Sequence, residues 1–183
     1  MTARCIVMTL SLALASCTTA EPGSDAAGTS TSSETATAEE TPGMTTSSYR
    51  VLEKGGYGKA AQAADVSVTG PTVEVARTAA EYSALWRRHI SDGQPPAVDF
   101  AKESVVFLLM GARSTGGYGI DPKDVTLEGD TAVVRAAMIQ PGKGDMTTQA
   151  FTAPFAVLAI EKPQLQAVEW RDPAGGVVVE HRQ

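Results

Sequence analysis

The chain has 183 residues, a formal net charge of −6 and two cysteines, with 20% charged and only 5% aromatic residues. Its sequence pI is about 4.9, so it lacks the basic footprint of a nucleic-acid-binding protein. Neither Cys-x-x-Cys spacing nor a histidine cluster occurs: the cysteines are Cys5 and Cys17, the histidines His89 and His181. That excludes the usual thiolate and imidazole metal sites.

From the start, Arg4 precedes an apolar run, Ile6 to Leu14, which is followed by Leu14-Ala15-Ser16-Cys17. The run is too short for a membrane span, which takes roughly 20 apolar residues. A charged start, an apolar run and small residues at a cut point make a signal peptide, and the cysteine at the cut resembles a bacterial lipobox. The expectation is a signal peptide at 1–16 and a diacylglyceryl group on Cys17, which places the mature chain in the cell envelope, outside the cytoplasm. At roughly 0.8 kcal/mol per buried CH₂, two or three acyl chains hold a protein on a membrane without spanning it. Cys5 leaves with the signal and Cys17 is lipidated, so no disulfide is expected in the mature chain.

Residues 17–48 are rich in Thr, Ser, Ala, Gly and Glu; they carry Glu21, Asp25, Glu34, Glu39 and Glu40 without a Lys or Arg. Such a segment buries too little to offset the entropy of ordering. It reads as an acidic tether about 30 Å in mean span, by the flexible-coil rule. Residues 49–183 then suit one globular domain.

Within that domain, Val66-Ser67-Val68 and Val73-Glu74-Val75 alternate like strands around Gly70-Pro71. Thr78 and Glu81 form a capping box, and Tyr82, Leu85, Trp86 and His89 recur at helical spacing before Asp92-Gly93 and Pro95-Pro96. This predicts a short amphipathic helix over about 78–90, with Tyr82, Leu85 and Trp86 in the core and His89 partly exposed near its end. Ser104 to Met110 is a continuous apolar run, suiting a strand buried on both faces. Val125–Leu127 and Ala132–Met138 flank a Glu128-Gly129-Asp130-Thr131 turn; Met146–Thr152 and Phe155–Ile160 are separated by Pro154; Gln166–Trp170 and Val177–Glu180 flank Asp172 to Gly176. The fold class is α+β and strand-dominated: an antiparallel sheet or sandwich, or a partly open barrel, with one helix.

The chemistry is largely negative. No Gly-x-Ser-x-Gly, His-Glu-x-x-His or phosphate-binding glycine loop occurs, and nothing supplies a nucleophile and a base together. Asp121, Asp124, Asp130 and Asp145 fall in predicted turns without EF-hand spacing, where solvated carboxylates are the simpler reading. No catalytic residue, metal or cofactor is assigned. The distinctive stretch is Gly111 to Ile120, where Gly116, Gly117 and Gly119 surround Tyr118 after the strongest strand. Tyr118 either turns inward as a plug or belongs to a loop surface for a partner.

The run from Val105 through Gly111, then Thr115-Gly116-Gly117-Tyr118-Gly119-Ile120, Pro141-Gly142, Thr152-Ala153-Pro154-Phe155 and Ile160-Glu161-Lys162, resembles the PrcB C-terminal-domain family of protease-complex subunits. The likeness covers about 104–162, and Glu81-Tyr82-Ser83-Ala84-Leu85-Trp86 with Val98-Asp99-Phe100 is similar to the segment that precedes this domain in related lipoproteins. The resemblance implies an accessory, non-enzymatic lipoprotein that associates with and stabilises a surface protease; it brings no catalytic residues. Ser114 stands where the family commonly has Pro, and Gly119 where a polar residue is common, which implies a more mobile loop. A fainter likeness is to chagasin-type inhibitors, through Thr115 to Tyr118, Gly142-Lys143-Gly144 and Pro154-Phe155. The doubled glycine and Ala153 before Pro154 depart from that pattern. Arg113, Thr115, Gly116, Gly117, Tyr118, Gly142, Lys143, Gly144, Pro154 and Phe155 are the candidate partner surface. An envelope-structural lipoprotein is the remaining alternative.

Overall fold

The structure, a computed structural model, describes residues 44–61 and 70–182. The expected signal peptide, Cys17, most of the expected tether and the strand expected at Val66–Val68 lie outside the described residues. Nine strands are seen: β1 Met44–Thr46, β2 Tyr49–Gly55, β3 Thr72–Ala76, β4 Ser104–Leu109, β5 Gly119–Glu128, β6 Thr131–Ile139, β7 Phe155–Ile160, β8 Ala167–Arg171 and β9 Val177–Arg182. One α-helix, α1, runs Ala79–His89, and a 3₁₀ turn spans Lys59–Ala61.

The strands form two sheets, in the orders β1-β5-β6-β8-β9 and β2-β7-β4-β3. All neighbours are antiparallel except β6 and β8, which run parallel. The result is an α+β sandwich without a closed barrel, with α1 as a third layer on the outer face of the four-stranded sheet.

The alternation of side chains along a strand explains the layering. In β4, Val106 and Leu108 enter the core between the sheets with Val125, Val134, Leu158 and Trp170. Val105, Phe107 and Leu109 point the other way and meet Tyr82, Leu85 and Trp86 of α1 together with Phe155 and Val157. All six residues of β4 and all six of β7 are buried, as the uninterrupted apolar runs require. The Trp170 indole donates to the Ala136 carbonyl at 3.1 Å, which satisfies its buried N–H.

The helix starts where the sequence places it. The Thr78 hydroxyl accepts from Glu81 N–H at 3.2 Å, and the Glu81 carboxylate accepts from Thr78 N–H at 3.2 Å and from Arg77 N–H at 2.7 Å. At its other end His89 Nε2 lies 2.9 Å from Glu74 Oε1, with Arg88 3.4 Å from the same carboxylate. This ties the helix to the edge strand β3. The Tyr82 ring is enclosed by Trp86, Phe100 and Phe107, and burial pushes its phenol up to about 12.

Four segments differ from the sequence reading. The ordered sheet begins inside the expected tether: Met44, Thr45 and Thr46 pair with Glu128, Leu127 and Thr126, and Ser47 N–H donates to the Val125 carbonyl at 2.9 Å. Polar residues without periodicity become a strand there because β5 offers an open edge. The strand β2 was also unforeseen, since its side chains are mostly exposed and only its pairing with β7 fixes it. Met146–Thr152, expected as a strand, is a loop; its one ladder contact is the isolated bridge of Thr152 with Arg113. Asp121 and Asp124, expected in turns, belong to β5 and pair with Lys123 at 2.6 Å and Arg135 at 2.8 Å.

Two predictions follow from the helix cap and from two carboxylate contacts, Glu74 with His89 and Glu103 with Arg50. Thr78→Ala is expected to lower stability by about 1 kcal/mol in denaturant unfolding, the usual worth of an N-cap. Glu74 is held below the ordinary carboxylate range chiefly by its hydrogen bond from His89, and Glu103 by its hydrogen bond from Arg50. Since both folded values lie below those of the unfolded chain, this stabilisation is present above the unfolded carboxylate value and is lost as pH falls through the folded values. Unfolding measured from pH 7 downward should show that acid loss, and Glu74→Gln with Glu103→Gln should flatten it.

Candidate partner-binding loop surface

Every loop of interest lies at one end of the sandwich. Gly55, Leu109 and Phe155 share a register at the top of the four-stranded sheet, while Gly119 and Ile139 pair at the corresponding end of the other. The first described residue, Met44, enters opposite Glu128 at the far end.

The segment after β4 is held by backbone bonds to the segment before β7. Met110 N–H donates to the Pro154 carbonyl at 2.9 Å, and Arg113 and Thr152 exchange N–H to carbonyl bonds of 2.7 and 2.9 Å. The Thr152 hydroxyl donates to the Thr115 carbonyl at 2.8 Å, and Gly116 N–H donates to the Thr148 carbonyl at 2.9 Å. Ala153 joins the loop after β2 as well, donating to the Gly56 carbonyl at 2.8 Å and accepting from Gly58 N–H at 3.1 Å. Backbone bonds of this number fix the loops against one another. The greater mobility expected from Ser114 and Gly119 does not follow from this arrangement, because Gly119 is the first residue of β5.

The glycines are required by this closeness. A Cβ on Gly116 would collide with the Thr148 hydroxyl, and Gly117, at φ +88°, would place one 3.0 Å from Pro141 Cβ. The Tyr118 ring is half-buried against the inter-sheet core, with the Arg113 guanidinium 5.7 Å from its centroid. It is neither wholly plug nor wholly surface. Asp145 accepts from Gly142 N–H at 2.7 Å and closes the Gly142-Lys143-Gly144 turn, which is exposed.

Of the ten residues singled out by sequence, Arg113, Thr115, Gly117, Tyr118, Gly142, Lys143 and Gly144 are wholly or partly exposed at this end. Gly116, Pro154 and Phe155 are buried. Phe155 opens β7 and packs against the helix layer, so the expected Pro154-Phe155 turn is core and gives a partner nothing to touch. Four large apolar residues at the same end were missed: Tyr57 and Phe151, 62% and 60% exposed, together with Ile139 and the fully exposed Met146. Tyr57 pairs with Ala153, and Thr147, next to Met146, packs its methyl 3.3 Å from the Cβ position of Gly117. Reading Met146–Thr152 as a strand hid two of them; aromatic and Met residues in a loop bounded by Gly142, Gly144 and Pro154 were the available signal. Among the described residues no group of His, Cys, Asp or Glu is arranged to hold a metal ion.

Gly117→Ala should strain the loop and push it off Pro141, lowering the melting temperature, whereas Gly144→Ala, also at positive φ but in open space, should leave the neighbouring loop unmoved. Amide chemical shifts of Arg113 and Gly116 in the two variants would report the difference.

No curated protein and no solved structure matches the chain. The family model described as PrcB C-terminal matches residues 104–161, from the first residue of β4 to the residue after β7. That interval contains the whole glycine loop, the exposed turn and the segment that binds them together, and over it the chain is similar to the PrcB C-terminal family.

Proposed function

We propose that this protein is a lipid-anchored, non-enzymatic accessory subunit of the cell envelope that binds and stabilises a protease through the loop surface. The PrcB C-terminal match over residues 104–161 supports association with a protease complex. The observation that carries the reading is the joining of three loops by backbone hydrogen bonds beneath exposed Tyr57, Met146 and Phe151. Aromatic and Met side chains are the types enriched at binding surfaces, and a surface fixed before binding loses little entropy on association.

Arg113, Thr115, Gly117, Tyr118, Gly142, Lys143 and Gly144 form the rest of the contact face. The inhibitor alternative is less well supported, since it needs three projecting loops and Pro154-Phe155 is buried.

Crosslinking pull-down from intact cells tests this. The parent lipoprotein is expected to recover a protease, and Phe151→Ser, an exposed change that leaves the core intact, to lose it at least tenfold. Tyr118→Ala should weaken capture too, while lowering stability because part of the ring packs on the core. Recovery of cell-wall or transport components, unchanged by Phe151→Ser, would contradict the proposal.

A further inference from the structure

Met146 is 101% exposed, yet the chain on both sides of it is held. Asp145 N–H donates to the Gly142 carbonyl at 3.1 Å, and the Asp145 carboxylate accepts from Gly142 N–H at 2.7 Å. On the other side the Thr147 methyl packs 3.3 Å from the Cβ position of Gly117, and the Thr148 carbonyl accepts from Gly116 N–H at 2.9 Å. The backbone that carries the thioether is thus fixed beside the glycine loop, while the side chain buries nothing in the fold.

Met110, by contrast, is 1% exposed in the core between the sheets, and Met138 packs against that core. The described residues contain no cysteine, since the two cysteines are Cys5 and Cys17. A thiolate would take up an oxidant first; without one, an accessible thioether is the group that reacts.

We propose that Met146 is an oxidant-responsive site, at which a hydroperoxide converts the thioether to the sulfoxide and thereby weakens the hold of the loop surface on its protease. The weakening rests on the partner-binding role proposed above; the modification rests on the exposure and chemistry of Met146. A lone pair on Sδ attacks the terminal peroxide oxygen, and the S–O bond forms as the O–O bond breaks. Sulfur gives up two electrons, and the departing oxygen takes the proton and leaves as water or an alcohol. The sulfoxide is polar and accepts hydrogen bonds, so pressing it into an apolar contact leaves an acceptor unpaired. Methionine sulfoxide reductases return the thioether, which makes the change reversible.

The test uses the full lipoprotein in detergent, treated with hydrogen peroxide to partial conversion. Peptide mass mapping should find Met146 oxidised about tenfold faster than Met110 or Met138, with the melting temperature unchanged. The mixture is then crosslinked to an untreated membrane extract. Complexes with the protease should be depleted about tenfold in Met146 sulfoxide relative to the unbound lipoprotein, the effect of burying an unpaired acceptor, and sulfoxide reductase should restore capture. Met146→Leu, whatever its own level of capture, should show no further loss on peroxide treatment; if it captures nothing, the bound and unbound sulfoxide contents of the parent decide. Oxidation of Met110 or Met138 at the rate of Met146, equal sulfoxide content in the bound and unbound fractions, or a peroxide-dependent loss that persists in Met146→Leu overturns the proposal. A failure of the untreated lipoprotein to recover any protease overturns the partner-binding role and the weakening with it, and the mass map alone then decides the modification.

Discussion

The pairing of β4 with β7 is the constraint on which the rest of the structure depends. Six consecutive antiparallel pairs, Ser104 with Ile160 through Leu109 with Phe155, join two strands that are buried on both faces. One face supplies the core between the sheets and the other the floor under α1. Because both strands end at Leu109 and Phe155 in register, the segments beyond them leave side by side. The bonds of Met110 with Pro154 and of Arg113 with Thr152 continue that adjacency into the loops. A loop surface built as an extension of the most buried ladder inherits its rigidity, which is how a glycine-rich sequence becomes a defined shape.

Charge is arranged around this frame. The ion pairs of Glu74 with His89 and Arg88, and of Arg50 with Glu103, lie on the helix side and at the far end; they hold elements together. Exposed pairs such as Lys102 with Asp99 contribute little. The loop end presents exposed Tyr57, Ile139, Met146 and Phe151 above a hydrogen-bonded base.

The parts legible in the sequence were those set by local pattern. Thr78 and Glu81 announced the helix start, the apolar run at 104–110 announced a strand covered on both sides, and 155–160 announced a strand. What escaped was set by tertiary partners. β1 and β2 carry no clear alternation, because each is an edge strand fixed by one neighbour, and Met146–Thr152 has strand-like composition but gives its backbone bonds to a loop. The glycine loop was recognisable as special from composition, yet which of its neighbours would be exposed was not: Pro154-Phe155 has the look of a turn and is the buried start of β7, while Phe151, four residues earlier, is the exposed aromatic.

Amide hydrogen exchange on the unbound protein tests the central claim, that the loop surface is formed before any partner arrives. Arg113, Gly116, Thr152 and Ala153 N–H groups should exchange slowly, close to the amides of β4 and β7, while exposed Lys143 and Met146 exchange fast. Uniformly fast exchange from Gly111 to Tyr118 and from Pro141 to Ala153 would mean that the loops are not joined in solution, and would contradict the account.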